Sequence, residues 1–152
     1  MFDARRGTTQ TIEELLARVP ATVEGVTLLG GEPFEQAAGA AAFARAARAR
    51  GLTVMVFSGY TLGELENRAE AAELLALTDL LVDGRYDRER PEPPPPQGRR
   101  WIGSTNQTMH HLTSAYAVDD PRMREANTIE IRITRTGLTI NGWPSADRIL
   151  RR

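Results

Sequence analysis

The sequence predicts an α/β fold with a mostly parallel sheet. Three short apolar runs, at 25–29, 54–57 and 80–82, have the length and composition of buried strands, and a glycine follows each run within two residues. Helical patterns separate the runs, and a strand–helix–strand order implies right-handed crossovers and therefore parallel strands. The carboxyl ends of parallel strands lie at one edge of the sheet, where ligands bind in folds of this kind.

Two of the predicted helices begin at a capping box, in which a threonine and a glutamate three residues later bond each other's backbone N–H groups. These pairs are Thr11 with Glu14 and Thr61 with Glu64. The first pair predicts a short helix to about Arg18, and the second predicts a helix to about Leu75. The longest helix is predicted over 34–50, because Pro33 suits the first helical position and Gly51 suits the end.

The second half of the chain changes character. Residues 87–100 contain a run of prolines, which favours an extended surface loop; a docking motif for a proline-binding partner is the alternative. Residues 101–116 are polar and irregular in pattern. Apolar and polar residues then alternate within 128–142, which predicts a β-hairpin with one buried face. We therefore expect an α/β domain over 1–116 and a C-terminal extension over 117–152.

Composition and charge exclude several classes of protein. The chain of 152 residues is 41% hydrophobic and 26% charged, as expected of a globular domain, and its net charge of −1 provides no field to attract nucleic acid or an anionic membrane. No apolar run reaches the roughly 18 residues of a membrane span, and the first residues do not resemble a signal peptide, so we expect a cytoplasmic protein. The absence of cysteine excludes disulfides and thiolate metal ligands.

Glycine and polar residues stand at the predicted strand ends. They are Gly30, Gly31, Glu32 and Pro33 after the first strand, Ser58 and Gly59 after the second, and Asp83 after the third. One interpretation is structural: Gly30 and Gly31 make a tight turn and Glu32 caps the next helix, while Asp83 belongs to an ordinary Asp-Gly turn. The other is a ligand site, since bare glycine backbone lets a ligand amine approach carbonyl oxygens or the Glu32 carboxylate. Both interpretations remain open at this point.

Four segments, taken together, resemble a known enzyme family. They are 30–33 (GGEP), 56–65 (VFSGYTLGEL), 80–86 (LLVDGRY) and 100–107 (RWIGSTNQ). This set resembles the radical S-adenosylmethionine activating enzymes, namely the activating proteins of anaerobic ribonucleotide reductase and their 4Fe-4S single-cluster relatives. The hairpin is more typical of stand-alone relatives than of the reductase activators.

The resemblance implies a partial barrel of βα units with S-adenosylmethionine lying across the strand ends. The amino group of this cofactor would lie near Gly30, Gly31 and Glu32, and the rest of it would contact Ser58 and Gly59. The further candidates for cofactor binding are Pro33, Asp83 and Asn106. Two aromatic residues near the motifs, Tyr60 and Trp101, are expected to pack in the protein rather than to stack on adenine.

Enzymes of this family use an electron from a 4Fe-4S cluster to split S-adenosylmethionine, and the 5′-deoxyadenosyl radical then abstracts hydrogen. In the activators this hydrogen comes from a glycine of a partner protein. The resemblance therefore implies two partners, a glycyl-radical enzyme and an electron donor.

The chain departs from the family in the residues that bind the cluster. Family members ligate it through a C-x-x-x-C-x-x-C loop, and this chain has no cysteine. In relatives that loop and the first strand precede a segment similar to residues 1–7, so we expect both to be missing here and one edge of the sheet to be exposed. A start codon assigned too late, a shortened chain and a cysteine-free descendant are the three explanations that we consider.

We accordingly predict that the chain as given holds no catalytic residue and no metal ligand, and that it does not catalyse the reaction of the family. His110 and His111 make a poor pair of metal ligands, because the side chains of adjacent residues point to opposite faces of a strand. The alternative function is a non-catalytic module that binds S-adenosylmethionine or a partner protein.

Overall fold

The computed structural model describes residues 9–126 and the backbone of 129–134 and 137–142. Its main sheet has four strands in the order in which they occur along the chain: β1 (Gly25–Leu28), β2 (Thr53–Phe57), β3 (Leu80–Asp83) and β4 (Thr108–His111). The first three strands are parallel, and β4 is antiparallel to β3. The predicted α/β class and mostly parallel sheet are confirmed, whereas the partial barrel stays a prediction.

Strand β4 lies within the segment 101–116, for which the sequence predicted no regular structure. Its sequence, TMHH, does not alternate cleanly between apolar and polar residues, so no local pattern predicts a strand. Long-range pairing with β3 stabilises it instead. The Thr108 N–H donates to the Asp83 carboxylate at 3.2 Å, and the Leu112 N–H donates to the Asp79 carbonyl at 2.9 Å.

The two helices that follow the predicted capping boxes begin where those patterns place them. Their bounds are α1 (Ile12–Ala17), α2 (Ala37–Arg48), α3 (Leu62–Glu66) and α4 (Ala72–Ala76). Both predicted capping boxes are complete, one before α1 and one before α3. A 3₁₀ turn, Pro33–Gln36, precedes α2, so the helix predicted over 34–50 has a tighter first turn than expected.

The prediction of a single helix from 62 to about 75 is wrong, because the helix is interrupted between α3 and α4. A 3₁₀ turn, Ala69–Ala71, separates the two short helices. Leu65 and Leu74 are both fully buried. Nine positions along one continuous helix would turn these leucines about 180° apart, so the break allows both of them to enter the core.

The core lies between the sheet and α2. It combines small alanines of the helix with branched residues of the strands, and these residues are Ala41, Ala44, Val54, Val56 and Leu81. Small side chains allow the helix to approach the sheet closely. Phe34, which is 1% exposed, joins this cluster and so anchors the start of the helix beside the end of β1.

The proline-rich segment is a loop that folds against the residues following it. The Glu92 N–H donates to the Gly103 carbonyl at 3.0 Å, and Pro91 forms an isolated bridge with Ser104. The chain turns between Pro94 and Gly98, so the prolines do not form one continuous extended rod. Most residues of this loop are exposed or half-buried, whereas Glu92 is buried; its role as a docking motif stays a prediction.

The predicted hairpin is confirmed in its backbone. β5 (Ile129–Thr134) pairs with β6 (Gly137–Gly142) in antiparallel fashion. The turn and the side chains of the hairpin lie outside the described residues, and so does its expected buried face. Residues 1–8 also lie outside the described residues, and with them the segment that was expected to follow the cysteine loop. None of the helices in the described part of the chain has the length and apolar character needed to cross a membrane.

Two further sequence predictions concern the edge of the sheet at β1 and the end of the α/β domain at residue 116. Within the described residues β1 pairs only with β2; the exposed sheet edge stays a prediction. Contacts with the α/β domain continue beyond residue 116, since Arg122 forms an ion pair with Glu24, the residue that precedes β1. The division of the chain at 116 therefore stays a prediction.

Candidate functional site

A cleft of about 320 Å³ lies at the carboxyl ends of the three parallel strands. Its lining residues are Leu29, Gly30, Gly31, Glu32, Phe57, Ser58, Gly59, Gly84, Tyr86, Trp101, Gly103 and Gln107. Five of the eight predicted cofactor-binding residues are among them: Gly30, Gly31, Glu32, Ser58 and Gly59. The cleft lies at the edge of the sheet that the strand order predicted.

Gly30 and Gly31 take left-handed backbone conformations, with φ of 90° and 61°. A Cβ built on Gly30 would meet no atom within 4 Å, and one on Gly31 would meet only the Gln36 side chain at 3.7 Å. Backbone conformation, rather than crowding, therefore favours glycine at both positions. The open space beside them leaves backbone groups of the turn accessible to a ligand.

Glu32 connects the turn after β1 to the end of β2. Its Oε1 accepts hydrogen bonds from the Phe34 N–H at 3.1 Å and the Ser58 hydroxyl at 2.9 Å, and its Oε2 accepts from the Gly59 N–H at 2.8 Å. The predicted capping of the next helical turn is thus present. An ionised carboxylate offers about four acceptor positions, so three donors leave room for one more at Oε2.

Ser58 is buried and uses its hydroxyl within the protein. The hydroxyl donates to Glu32 and accepts from the Tyr60 N–H at 3.0 Å. Gly59 lies beside it, and an added Cβ would stand 3.5 Å from Glu32 Oε2 and 3.6 Å from Arg85 Cγ. These two residues hold the carboxylate in position and leave a narrow passage next to it.

Asp83 is 6% exposed and does not line the cleft. Its Oδ2 accepts from the Leu62 N–H at 2.6 Å, and its Oδ1 accepts from the Thr108 N–H at 3.2 Å. The Nε2 atom of His110 lies 2.9 Å from Oδ2. The carboxylate therefore connects β3 to the start of α3 and to β4, and cofactor binding by Asp83 stays a prediction.

Pro33 and Asn106 also lie away from the lining of the cleft. Pro33 is buried and faces a separate cleft of about 690 Å³ that includes residues of α1 and α2. Asn106 is exposed, and its Nδ2 donates to the Arg85 carbonyl at 2.8 Å. Their assignment to cofactor binding stays a prediction.

Gln107 fixes the segment that follows β3. Its Oε1 accepts from the N–H groups of Gly103 and Ser104 at 3.0 and 3.1 Å, and its Nε2 donates to the Gly84 carbonyl at 2.9 Å. This glutamine belongs to the motif at 100–107, and its hydrogen bonds give it a positioning role. It holds one wall of the cleft against the end of β3.

Two aromatic residues, Tyr86 and Trp101, also line the cleft. Tyr86 is 55% exposed, and Trp101 has a φ of 64°. Tyr86 ends the motif at 80–86, but no sequence pattern identifies it as a candidate site residue; Trp101, which was expected to pack in the protein, also lines the cleft. Tyr60 lies outside the cleft lining, where its hydroxyl donates to Glu35 at 2.5 Å beneath the guanidinium of Arg68.

An ion pair between Glu92 and Arg99 closes the proline-rich loop. The Arg99 guanidinium donates to both oxygens of the Glu92 carboxylate, at 2.9 and 2.7 Å. Hydrogen bonding from Arg99 lowers the pKa of Glu92 in spite of burial, which acts in the opposite direction. Arg99 also donates to the Gln107 carbonyl at 2.8 Å, so the clamp joins the loop to the wall of the cleft.

Comparisons with known proteins agree with the motifs. The family model described as 4Fe-4S single cluster domain matches residues 3–110. Two curated relatives are anaerobic ribonucleoside-triphosphate reductase-activating proteins: that of Vibrio cholerae is 34% identical over 93 residues, and that of Escherichia coli is 31% identical over 93 residues.

Each of these alignments covers 59% of this chain and 56% of the relative. The chain thus spans little more than half the length of the curated relatives that it matches. No solved structure matches it.

Proposed function

The chain belongs to the 4Fe-4S single cluster domain family, and from this premise we propose that it is the S-adenosylmethionine-binding part of a radical S-adenosylmethionine enzyme of the activating type. Its partner is then a glycyl-radical enzyme of the anaerobic ribonucleotide reductase class, as the names of the relatives indicate. The observation that carries the proposal is the strand-end cleft, which joins Gly30, Gly31 and Glu32 to Ser58 and Gly59 within the matched segment.

The chemistry of the cleft suits a zwitterionic amino acid attached to a nucleoside. Carbonyl oxygens of the glycine turn and the remaining acceptor position of Glu32 can receive an ammonium group, and Ser58 and Gly59 lie beside them. The volume of about 320 Å³ is near the lower end of the range for small-molecule sites. When bound, S-adenosylmethionine supplies the sulfonium whose cleavage yields the organic radical; this chain would bind and orient it.

A 4Fe-4S cluster does not fit the residues present. Such clusters need cysteine thiolates, and the 152 residues contain none. In the part of the chain that the structure describes, no group of three histidine, aspartate or glutamate side chains could hold a metal ion instead. We therefore expect the chain as given to bind S-adenosylmethionine without cleaving it, because cluster ligands and an electron donor would have to come from outside these residues.

A second candidate function is a non-catalytic module that binds S-adenosylmethionine or a partner. It is favoured by one observation, that the hydrogen bonds shaping the cleft come from this chain's own residues and need no thiolate. The coding sequence upstream of Met1 separates the two candidates. An in-frame extension encoding C-x-x-x-C-x-x-C supports the enzyme, and a stop codon close before Met1 supports the module.

Calorimetric titration of the 152-residue chain with S-adenosylmethionine tests whether the chain binds this cofactor, which the enzyme and the S-adenosylmethionine-binding module have in common. We expect saturable binding that survives prior treatment with a chelator, with methionine alone binding more weakly. Anaerobic incubation with iron and sulfide should leave the chain colourless and free of acid-labile sulfide. No detectable binding of S-adenosylmethionine would overturn the proposed function, and assembly of a cluster would overturn the statement that the residues do not fit it.

A further inference from the structure

We propose that a second cavity, which we call the β4 cavity, binds an organic anion in which a phosphate, sulfonate or carboxylate group is attached to an apolar body. The cavity has a volume of about 780 Å³, within the range for small-molecule sites. It shares no lining residue with the strand-end cleft. The inference therefore goes beyond the proposed function and does not depend on it.

The β4 cavity is formed mainly by three segments of the chain. All four residues of β4 line it, together with residues from 96–102 and from 118–124. The last segment is attached to the domain by the ion pair of Arg122 with Glu24 and by the hydrogen bond that Arg100 donates to the Arg122 carbonyl at 2.6 Å. The chain's own contacts thus hold the segments together, and the cavity exists before any ligand binds.

The charged lining of the β4 cavity is basic. The described residues that line it include no aspartate or glutamate, but they include three arginines and two histidines, namely Arg99, Arg100, Arg124, His110 and His111. The whole chain has a net charge of −1, so this excess of basic residues is local. A concave site lined by one sign of charge attracts a ligand of the opposite sign.

The three arginines differ in how far the chain itself neutralises them. Arg99 forms an ion pair with Glu92, and Arg100 forms one with Glu125. The side chain of Arg124 is exposed and makes no hydrogen bond or ion pair with any residue that the structure describes. Its guanidinium carries five N–H donors that suit the oxygens of a phosphate or a carboxylate, so it is available to an anionic ligand.

Much of the remaining lining is apolar. Val118 is 77% exposed, although it is a large hydrophobic residue. Two methionines also line the cavity, and methionine side chains adapt to ligands of different shape. The apolar lining residues are Leu62, Ile102, Met109, Leu112, Val118 and Met123. An inorganic ion would leave this surface in contact with water, whereas an anion with an apolar body would cover it.

The test uses a fluorescent organic anion, anilinonaphthalene sulfonate, and the uncharged analogue N-phenylnaphthylamine, which lacks the sulfonate. Each dye is titrated into the full chain and into two variants of one exposed position, Val118→Asp and Val118→Lys. Both variants lose the same apolar side chain and differ in the charge that replaces it. We expect the anionic dye to bind Val118→Lys at least about three-fold more tightly than Val118→Asp, and the uncharged dye to bind both equally.

A second pair of variants tests the unpaired guanidinium. Arg124→Leu should weaken binding of the anionic dye about three-fold and leave binding of the uncharged dye unchanged. Arg88→Leu is the matched control, because Arg88 is also exposed but does not line the cavity, and it should bind both dyes as the wild type does. Circular dichroism and thermal unfolding confirm that each variant is folded.

Displacement of the anionic dye distinguishes the kinds of anion. Naphthyl phosphate and naphthoate carry the same aromatic body with a phosphate ester or a carboxylate, and inorganic phosphate carries the charge alone. We expect at least one of the two organic anions to displace the dye, and the one that acts at the lower concentration identifies the acidic group. Displacement by inorganic phosphate at concentrations as low as those of both organic anions would overturn the requirement for an apolar body.

Three results would overturn the site itself. They are a wild-type chain that does not bind the anionic dye, equal affinities of this dye for Val118→Asp and Val118→Lys, and equal affinities for Arg124→Leu and the wild type. The last two would mean that the dye binds elsewhere or that charge does not contribute. None of these results concerns S-adenosylmethionine, so failure of this inference and failure of the proposed function are distinguishable.

Discussion

The Ser58 hydroxyl donates a hydrogen bond to the Glu32 carboxylate at 2.9 Å and thereby joins the turn after β1 to the end of β2. The same carboxylate caps the helical turn that follows, through the Phe34 N–H. One side chain therefore fixes the start of a helix and the relative position of two strand ends. The sequence is compatible with either a helix cap or a ligand contact at Glu32. In the structure Glu32 caps the helical turn, and the same carboxylate holds the two strand ends that line the cleft.

We predict that Glu32→Gln lowers the free energy of unfolding by about 1.5–3 kcal/mol, the range for hydrogen bonds to charged groups. The amide replaces one acceptor oxygen with an NH₂ group, which cannot accept from the Gly59 N–H. Urea unfolding at neutral pH measures the change. Glu66→Gln, at an exposed position, is the control and should change the midpoint little; equal midpoints for both variants would contradict the prediction.

Gly31→Ala should separate backbone strain from ligand binding when it is compared with Gly51→Ala. Both glycines have positive φ, of 61° and 78°, and neither has an atom within 3.4 Å of an added Cβ. Each substitution should therefore cost about 1–2 kcal/mol of stability. Only Gly31 lines the strand-end cleft, so only Gly31→Ala should weaken S-adenosylmethionine binding in calorimetry. Equal loss of binding in both variants would assign the effect to strain.

The strands and the edge of the sheet that forms the cleft could be predicted because their signals are local. Apolar runs ending at Gly30, Gly59 and Gly84 mark buried parallel strands, and the topology of such strands fixes where their ends meet. β4 could not be predicted in this way, because the pairing of Thr108 and His110 with β3 is a long-range contact and leaves no period in the sequence.

The sequence predicted those cleft residues whose identity follows from the backbone conformation that the turn requires. Gly30 and Gly31 were identified because few other residues suit a tight turn after a strand. Asp83 ends its strand as expected, but its side chain bonds the start of α3 rather than facing the cleft, and side-chain direction depends on neighbours far along the chain. Tyr86 and Trp101 line the same cleft although they lie 15 positions apart in the sequence, and no spacing rule predicts this.

Asp79 gives a prediction about stability and pH. Its side chain is 2% exposed and accepts from Arg48 at 2.8 Å, Thr113 at 2.6 Å and the Val54 N–H at 2.8 Å. Burial raises the pKa of Asp79, but these hydrogen bonds outweigh it and hold the pKa below its ordinary value. Asp79→Asn should lower the free energy of unfolding at pH 7 by about 1.5–3 kcal/mol, because the amide keeps only one acceptor oxygen for these donors and no charge for the Arg48 guanidinium.

The sign of the pH dependence follows from the lowered pKa of Asp79. The carboxylate stabilises the fold above its unfolded pKa of about 3.9, and this contribution is lost as the pH falls through the folded value. The difference between wild type and Asp79→Asn should therefore narrow below about pH 4. Urea unfolding between neutral and acidic pH measures it, with the exposed Asp119→Asn as a control. A constant difference throughout the range would show that ionisation of Asp79 does not contribute.

The final prediction concerns the clamp between Glu92 and Arg99. Glu92→Gln removes the charge that the Arg99 guanidinium contacts through two atoms, so the proline-rich loop should open more often while the core is unaffected. Trypsin cleaves after arginine, and limited proteolysis at Arg99 should become about five-fold faster for a loss of roughly 1 kcal/mol in local stability. Glu89→Gln, in the same loop but exposed, should leave the rate unchanged. If the rate at Arg99 is the same in Glu92→Gln and wild type, the ion pair does not hold the loop closed, and the loop depends instead on backbone bonds such as the one from the Glu92 N–H to the Gly103 carbonyl.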